Sequence, residues 1–460
     1  MTTRTARMVR LGVAGILATF PLYTAPPASA VTPPTVDDSM LPKPGPPAPP
    51  QRTEQQEGCV AAPQAAVEIA DAGQLIGLDL QRVWRFTRGA GQTVAIIDTG
   101  VARHRLLPHL VPGGDYVFSG DGTDDCDGHG TVVAGIIGAE PDSEESTFSG
   151  IAPDTTIVSI RQSSNKFRAA DDPSGSGFGD VDTLAKAVRT AADSGATVIN
   201  ASSVACLPAD GGLDDRPLGA ALAYAVDVKN VVVVAAAGNV GGAGQCPEQN
   251  PATDPTRPGQ PDWDHVSVVV SPAWYDDYVL TVGSVDAHGA PSAFTMAGPW
   301  VDVAAPGEGI VSLDPDGEGL VSSLPTSGEP MPISGTSYAA PVVSGIVALV
   351  RSRSPELSAR QVMRHIEATA HRPAAEWDSV VGHGVVDALA AISGGATPAA
   401  GVERTQSRPV SYPAATPKDP QAYQYAVGGA AICLATSVAT VAITASATRL
   451  RRSRDAVARD

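Results

Sequence analysis

Basic side chains are scarce in this chain. Of its 460 residues, 31 are Lys or Arg and 49 are Asp or Glu, giving a formal net charge of −18. A protein whose main partner is nucleic acid needs a basic footprint, so nucleic acid is excluded as the main partner. Cysteine is sparse too, at five residues. That rules out a disulfide-dense scaffold but leaves room for two bridges. No G-x-S-x-G occurs, which speaks against an α/β-hydrolase. No HExxH or other close histidine pairing marks a metal site, and none is assigned. There is no internal repeat. Glycine (47) and proline (40) are in excess, so Pro-rich tails or linkers are expected. The 43% apolar fraction supplies a sizeable core. The length fits one large α/β domain with appendages, or two small domains.

Both ends carry appendages. Arg4, Arg7 and Arg10 precede an apolar run from Leu11 to Phe20 and a small-residue stretch, Ala28-Ser29-Ala30. That order predicts a secretory signal peptide over residues 1–30. Residues 31–50 are dense in proline and predict an extended linker, followed by an N-terminal extension over 51–74. A second linker, rich in Pro and Ala, covers 393–425. Residues 426–447 carry no charge and, as a helix, reach about 33 Å, enough for one transmembrane helix. Arg449, Arg451, Arg452 and Arg454 follow in the tail, 448–460. The positive charge places that tail in the cytoplasm and the bulk of the chain outside the cell membrane, as a single-pass protein.

Between these ends, residues 75–392 alternate strand-like and helical runs. The runs at 93–100, 155–160, 196–202, 230–239 and 279–285 are continuously apolar or small and rich in β-branched residues. Such strands are buried on both faces, as in a parallel sheet. Helical patterns cover 131–137, 181–192, 218–226, 337–352 and 358–368. The expected fold is α/β, a mostly parallel sheet with helices on both faces. In such sheets ligands bind at the carboxyl edge.

Four segments carry chemistry. "VAIIDTGV" puts Asp98 at the end of a buried strand. "DCDGHGTVVAGIIGA" puts His129 before a small-residue helix, and "SGTSYAAPVVSGIVALV" puts Ser337 at the start of another. A serine hydroxyl needs an imidazole base, and the imidazole needs a carboxylate to fix its tautomer. The order Asp, His, Ser is that of subtilisin and not of chymotrypsin. "AAAGN" ends at Asn239, whose amide can donate to an oxyanion beside the Ser337 backbone N–H.

On these segments the chain resembles the subtilisin-like serine proteases, the subtilases, across residues 75–392. The resemblance implies Asp98, His129 and Ser337 as the catalytic triad and Asn239 as the oxyanion amide. "VINASSVA" resembles the family's cleft strand, with Ser203, Val204 and Ala205 where glycines are usual. Larger side chains there imply a narrowed cleft and restricted substrates. The signal peptide, a Cys-bearing extension, "GGDYV", "DCDGHGT", "IRQSS", "AGPWVDVAAPGE" and the membrane anchor occur together. That combination resembles the mycosins, the membrane-anchored subtilases of actinobacterial type VII secretion. It implies an endopeptidase acting on polypeptide substrates, with the secretion membrane complex as partner. The alternative is a mainly structural component of that complex, with catalysis dispensable.

Cys59, Cys126, Cys206 and Cys246 lie in the exported part, where bridges form. Sequence allows three connectivities. The resemblance implies Cys59–Cys126 and Cys206–Cys246, the first tying the extension to the domain. The extension is therefore expected to wrap the domain. No cofactor is expected. Many subtilases bind structural calcium, but the EF-hand pattern fails in the cluster Asp121, Asp124, Asp125, Asp127, which reads as a solvated acidic loop. The Pro-rich insertion 240–265 follows Asn239 directly and is expected near the cleft.

Overall fold

The computed structural model describes residues 31–394, apart from 62–76, 144–147, 173, 176, 243–244, 252–255, 318 and 327–328. The expected signal peptide, the later part of the extension, almost all of the second linker, the membrane span and the basic tail lie outside the described residues. Among the described residues no helix is long and apolar enough to cross a membrane.

The core is a seven-stranded sheet. In chain order its strands are β1 (Thr93–Asp98), β2 (Leu110–Asp115), β3 (Thr156–Arg161), β4 (Val198–Ala201), β5 (Val232–Ala236), β6 (Leu280–Val285) and β7 (Val303–Pro306). The spatial order is β7-β6-β5-β4-β1-β3-β2, and all six pairings are parallel. Residues 94–98 are all buried, as a strand covered on both faces requires. Helix α1 (His129–Gly138) packs with α4 (Thr336–Arg353), and α2 (Val181–Asp193) with α3 (Arg216–Ala223). Helix α5 (Ala359–Thr369) packs against α4. The five expected strands and five expected helices are present, with boundaries moved by at most three residues.

The two edge strands were not anticipated. Strand β2 reads LVPGGD, and its register slips between Pro112 and Gly114. Proline and glycine are tolerated there because an edge strand leaves one row of backbone groups unpaired. Strand β7 is a four-residue strand, Val303–Pro306, that ends in a proline.

The segment expected as an extended linker lies along the domain. Val31 N donates to Trp263 O (3.1 Å), Arg189 Nη1 donates to Pro42 O (3.3 Å), and Pro47 packs against Gly114. Apart from one 3-10 turn, Asp38–Met40, the segment is extended, and proline density does not prevent docking. The extension continues as a short strand, Thr53–Gln55, antiparallel to Phe167–Ala169. The Cys59–Cys126 bridge and the Lys166–Glu57 pair (2.7 Å) fasten it.

A buried polar chain ties α4 to the sheet. Pro341 sits inside α4 and has no N–H to offer the carbonyl four residues earlier, that of Ser337. Ser202 Oγ donates to that carbonyl instead (3.1 Å). Asn200 Nδ2 donates to Ser202 Oγ (2.8 Å), and Ser344 Oγ donates to Asn200 Oδ1 (2.8 Å). All three side chains are buried. Asn200→Ala removes the donor to the Ser202 hydroxyl and the acceptor of the Ser344 hydroxyl. It should lower the unfolding free energy by about 2–3 kcal/mol, measured by chemical denaturation. An unchanged midpoint would contradict this role.

Candidate active site

Strand β1 delivers Asp98 to the carboxyl edge at the centre of the sheet. Its carboxylate is fully buried, and Oδ1 accepts from Thr99 N (2.8 Å) and lies 2.7 Å from His129 Nδ1. His129 is the first residue of α1, and its Nε2 lies 3.0 Å from Ser337 Oγ. Consistent donors follow when Nδ1–H donates to Asp98 and the serine hydroxyl donates to Nε2, an assignment made from the network. The close approach of α1 to β1 requires a glycine. A Cβ on Gly130 would lie 1.9 Å from the Gly100 carbonyl oxygen and 3.2 Å from Asp98 Cβ.

Ser337 is the second residue of α4, so its own N–H points out of the helix start, toward developing negative charge. Asn239 follows β5 after Gly238. Its Oδ1 accepts from Thr336 N (2.9 Å) and Thr336 Oγ1 (3.0 Å). That double contact fixes the amide rotamer and leaves Nδ2 as the end turned toward the nucleophile. A Cβ on Gly335 would be 3.2 Å from Ser337 Oγ and 3.5 Å from Asn239 Nδ2, so both atoms border the same narrow space. The Tyr338 ring, 4.9 Å from that of His129, covers the imidazole.

The acidic loop before His129 is not simply solvated. Asp125 accepts from Thr99 Oγ1 (2.8 Å), Gly128 N (2.8 Å), Thr131 N (2.8 Å) and Thr131 Oγ1 (2.6 Å). Asp127 accepts from Ser164 Oγ and from Asn165 N (2.7 Å). Asp121 and Asp124 are the exposed pair. The two inner carboxylates thus face hydrogen-bond donors, and Asp125 fixes the start of α1. Burial raises both above the usual carboxylate range, against the pull of these donors. For His129, burial favours the neutral ring. The charge and hydrogen bond of Asp98, with the charges of Asp125 and Asp127, outweigh it and raise the imidazole above its ordinary value.

The cleft strand differs from its expectation in one respect. Val204 is only partly exposed and packs against both the main core and the cluster around Trp300, so it is turned at least partly inward. The insertion after Asn239 is pinned rather than loose. Asn250 donates to the carbonyls of Val268 (3.0 Å) and Ala297 (2.8 Å) and accepts from Ser267 N and Val268 N (2.9 Å each). Cys206 is bridged to Cys246 within it. Sequence reading missed Thr336, Ser202 and Tyr338, and it read Asp125 as solvated. Only Ser202 had a signal, since a proline four residues after Ser337 announces an unpaired carbonyl.

The sequence profile of the Subtilase family matches residues 89–384. The chain is 58% identical to Mycosin-4 of Mycobacterium tuberculosis (strain ATCC 25618 / H37Rv), over 99% of this chain and all of that protein. Mycosin-3 of the same organism is 43% identical, over 97% and 99%. The solved MycP3 protease from the type VII (ESX-3) secretion system is 46% identical with a TM-score of 0.72, covering 79% of this chain and all of that one. A chain of the periplasmic assembly from the ESX-5 inner membrane complex is 41% identical with a TM-score of 0.75, covering 85% and 100%.

A raised His129 pKa has a definite consequence. The base must be neutral, so reactivity should be lost as pH falls through a value above the ordinary histidine value of about 6.5. Removing one nearby negative charge weakens the stabilised imidazolium. In Asp127→Asn the acid limb of the Ser337 labelling rate with a fluorophosphonate should therefore move to lower pH. A limb that stays in place would refute the electrostatic coupling.

Proposed function

Because the chain belongs to the subtilase family, and within it to the mycosins, we propose that it is a membrane-anchored endopeptidase processing a restricted set of secreted proteins in type VII secretion. The observation that carries the catalytic part is the unbroken contact from Asp98 through His129 to Ser337, at 2.7 and 3.0 Å, with Asn239 locked beside it. His129 Nε2 takes the proton as Ser337 Oγ attacks the scissile carbonyl. Asp98 holds the ring in the required tautomer and stabilises its charged form. The developing oxyanion lies between Asn239 Nδ2 and the Ser337 N–H. His129 then gives its proton to the leaving amine, and water resolves the acyl-enzyme by the same route. The residues supply every group this reaction uses, and no cofactor enters it.

The cellular part of the reading rests on the signal-peptide pattern, the uncharged stretch 426–447, the arginines after it, and the likeness to a chain of the ESX-5 inner membrane complex assembly. Together they favour a single-pass protein with its protease domain outside the cell, its tail in the cytoplasm, and a secretion membrane complex as partner. The scaffold-only alternative is not favoured, since an assembled nucleophile and base would then have no use.

The test is labelling of the full chain in detergent with a serine-directed fluorophosphonate. Wild-type protein should label, and Ser337→Ala should not. Asn239→Ala should label about 10²–10³-fold more slowly. A folded wild-type protein that fails to label would overturn the catalytic reading. In cells, Ser337→Ala should leave secreted substrates at their unprocessed length, seen by mass spectrometry of the culture medium. Unchanged processing would overturn the assignment of function.

A further inference from the structure

Two parts of the cleft reach the active site from neighbouring strands. Strand β4 runs on through Ser202 and Ser203 into the short strand Ala205–Pro208, which pairs antiparallel with Val268–Ser271. Strand β5 runs on through Gly238 to Asn239. Past Ala201 and Ala236 these two segments leave the sheet, so the parallel ladder that sets β4 against β5, ending at Ala201–Ala235, no longer holds them together. The Cys206–Cys246 bridge lies at that place.

The surroundings of the bridge are specific. A Cβ on Gly238 would be 3.1 Å from Cys246 Sγ and 3.6 Å from Cys206 Sγ, so both sulfurs lie against the backbone of the residue before Asn239. Cys246 N donates to the Asn239 carbonyl (2.8 Å). On the opposite side, Val240 N donates to Phe294 O (2.8 Å) and Met296 N donates to Gly238 O (2.9 Å). Asn239 is thus enclosed between the Phe294–Met296 segment and the loop that the bridge ties to the cleft strand. Cys246 is buried in the cluster with Ala237, Met296 and Trp300.

We propose that the Cys206–Cys246 bridge is a positioning device for the oxyanion amide, fixing Asn239 and the substrate-binding segment 203–205 in one register. The Thr336 contacts set which way the amide points, and the bridge sets where its backbone stands. Loss of the bridge leaves the triad contacts intact, because none of Asp98, His129 and Ser337 touches it. The defect therefore falls on transition-state stabilisation rather than on the nucleophile–base pair. This proposal rests on the reading of Asn239 as the oxyanion donor.

The experiment measures the saturating rate and half-saturation of fluorophosphonate labelling on the full chain in detergent, for wild type, Asn239→Ala, C206S/C246S and the triple variant. The expected result for C206S/C246S is a saturating rate lower by about tenfold to a hundredfold, as for a misplaced catalytic group. Its acid limb should stay at the wild-type pH, since the Asp98–His129 pair is untouched. The triple variant should label no more slowly than Asn239→Ala alone, because both changes disable one function. Wild-type labelling by C206S/C246S would overturn the proposal, and so would independent losses that multiply in the triple variant. Wild-type labelling by Asn239→Ala would instead overturn the oxyanion reading, and the proposal with it. If C206S/C246S does not fold, wild type and Asn239→Ala are reduced after folding with a phosphine, their folded state checked by tryptophan fluorescence. C59S/C126S, which lacks the other bridge, serves as the control for reduction. The same rate comparison then decides.

Discussion

A carboxylate fully buried at the end of the central strand has to be compensated by neighbours that hold it. Desolvation of an isolated charge in such a place costs several kcal/mol. Here Oδ1 of Asp98 takes the Thr99 N–H and faces the His129 ring. The surrounding architecture serves that contact. Gly130 lets α1 settle onto the backbone at Gly100, and Asp125 gathers Thr99, Gly128 and Thr131 so that the helix starts where His129 meets Asp98. The imidazole is thereby held between a carboxylate on one nitrogen and a hydroxyl on the other.

The second half of the site is made rigid by polar contacts that compensate for missing backbone bonds. Pro341 deprives the Ser337 carbonyl of its helical partner, and the cleft strand supplies one through Ser202. The nucleophile helix and the substrate strand are thus one unit, extended into the core by Asn200 and Ser344. Thr336, one residue before the nucleophile, orients Asn239. Ser337, the Asn239 amide and the strand through Ser202 are each fixed by a neighbour of the others, which is the condition for electrostatic preorganisation.

The electrostatics follow the same logic. Burial alone would favour a neutral His129, whereas three carboxylates favour its charged form, and the carboxylates prevail. The charged imidazole is the species formed as Ser337 attacks, so the same groups that narrow the active pH range on its acid side also stabilise the ring once it is protonated. The two inner acids are kept in place by donors from Thr99, the α1 backbone and the Ser164–Asn165 turn, so this field is part of the fold.

The sequence by itself determined the fold class, the central strands and the four residues that meet in the site. β-branched runs buried on both faces and small-residue helices are local patterns, and the order of Asp98, His129 and Ser337 is linear information. It could not decide the two edge strands, because β2 tolerates proline and glycine only by virtue of its edge position, which is a property of the assembled sheet. It read residues 31–50 as a linker, because proline density reports backbone conformation and not what the extended chain lies against. It read the acidic loop as solvated, because partners such as Ser164 come from a distant part of the chain. The orientation of the Asn239 amide, the filling of the Ser337 carbonyl by Ser202 and the place of the Cys206–Cys246 bridge beside Gly238 were decided only in three dimensions. Each is a contact between strands or helices that the parallel order brings together and the chain keeps far apart.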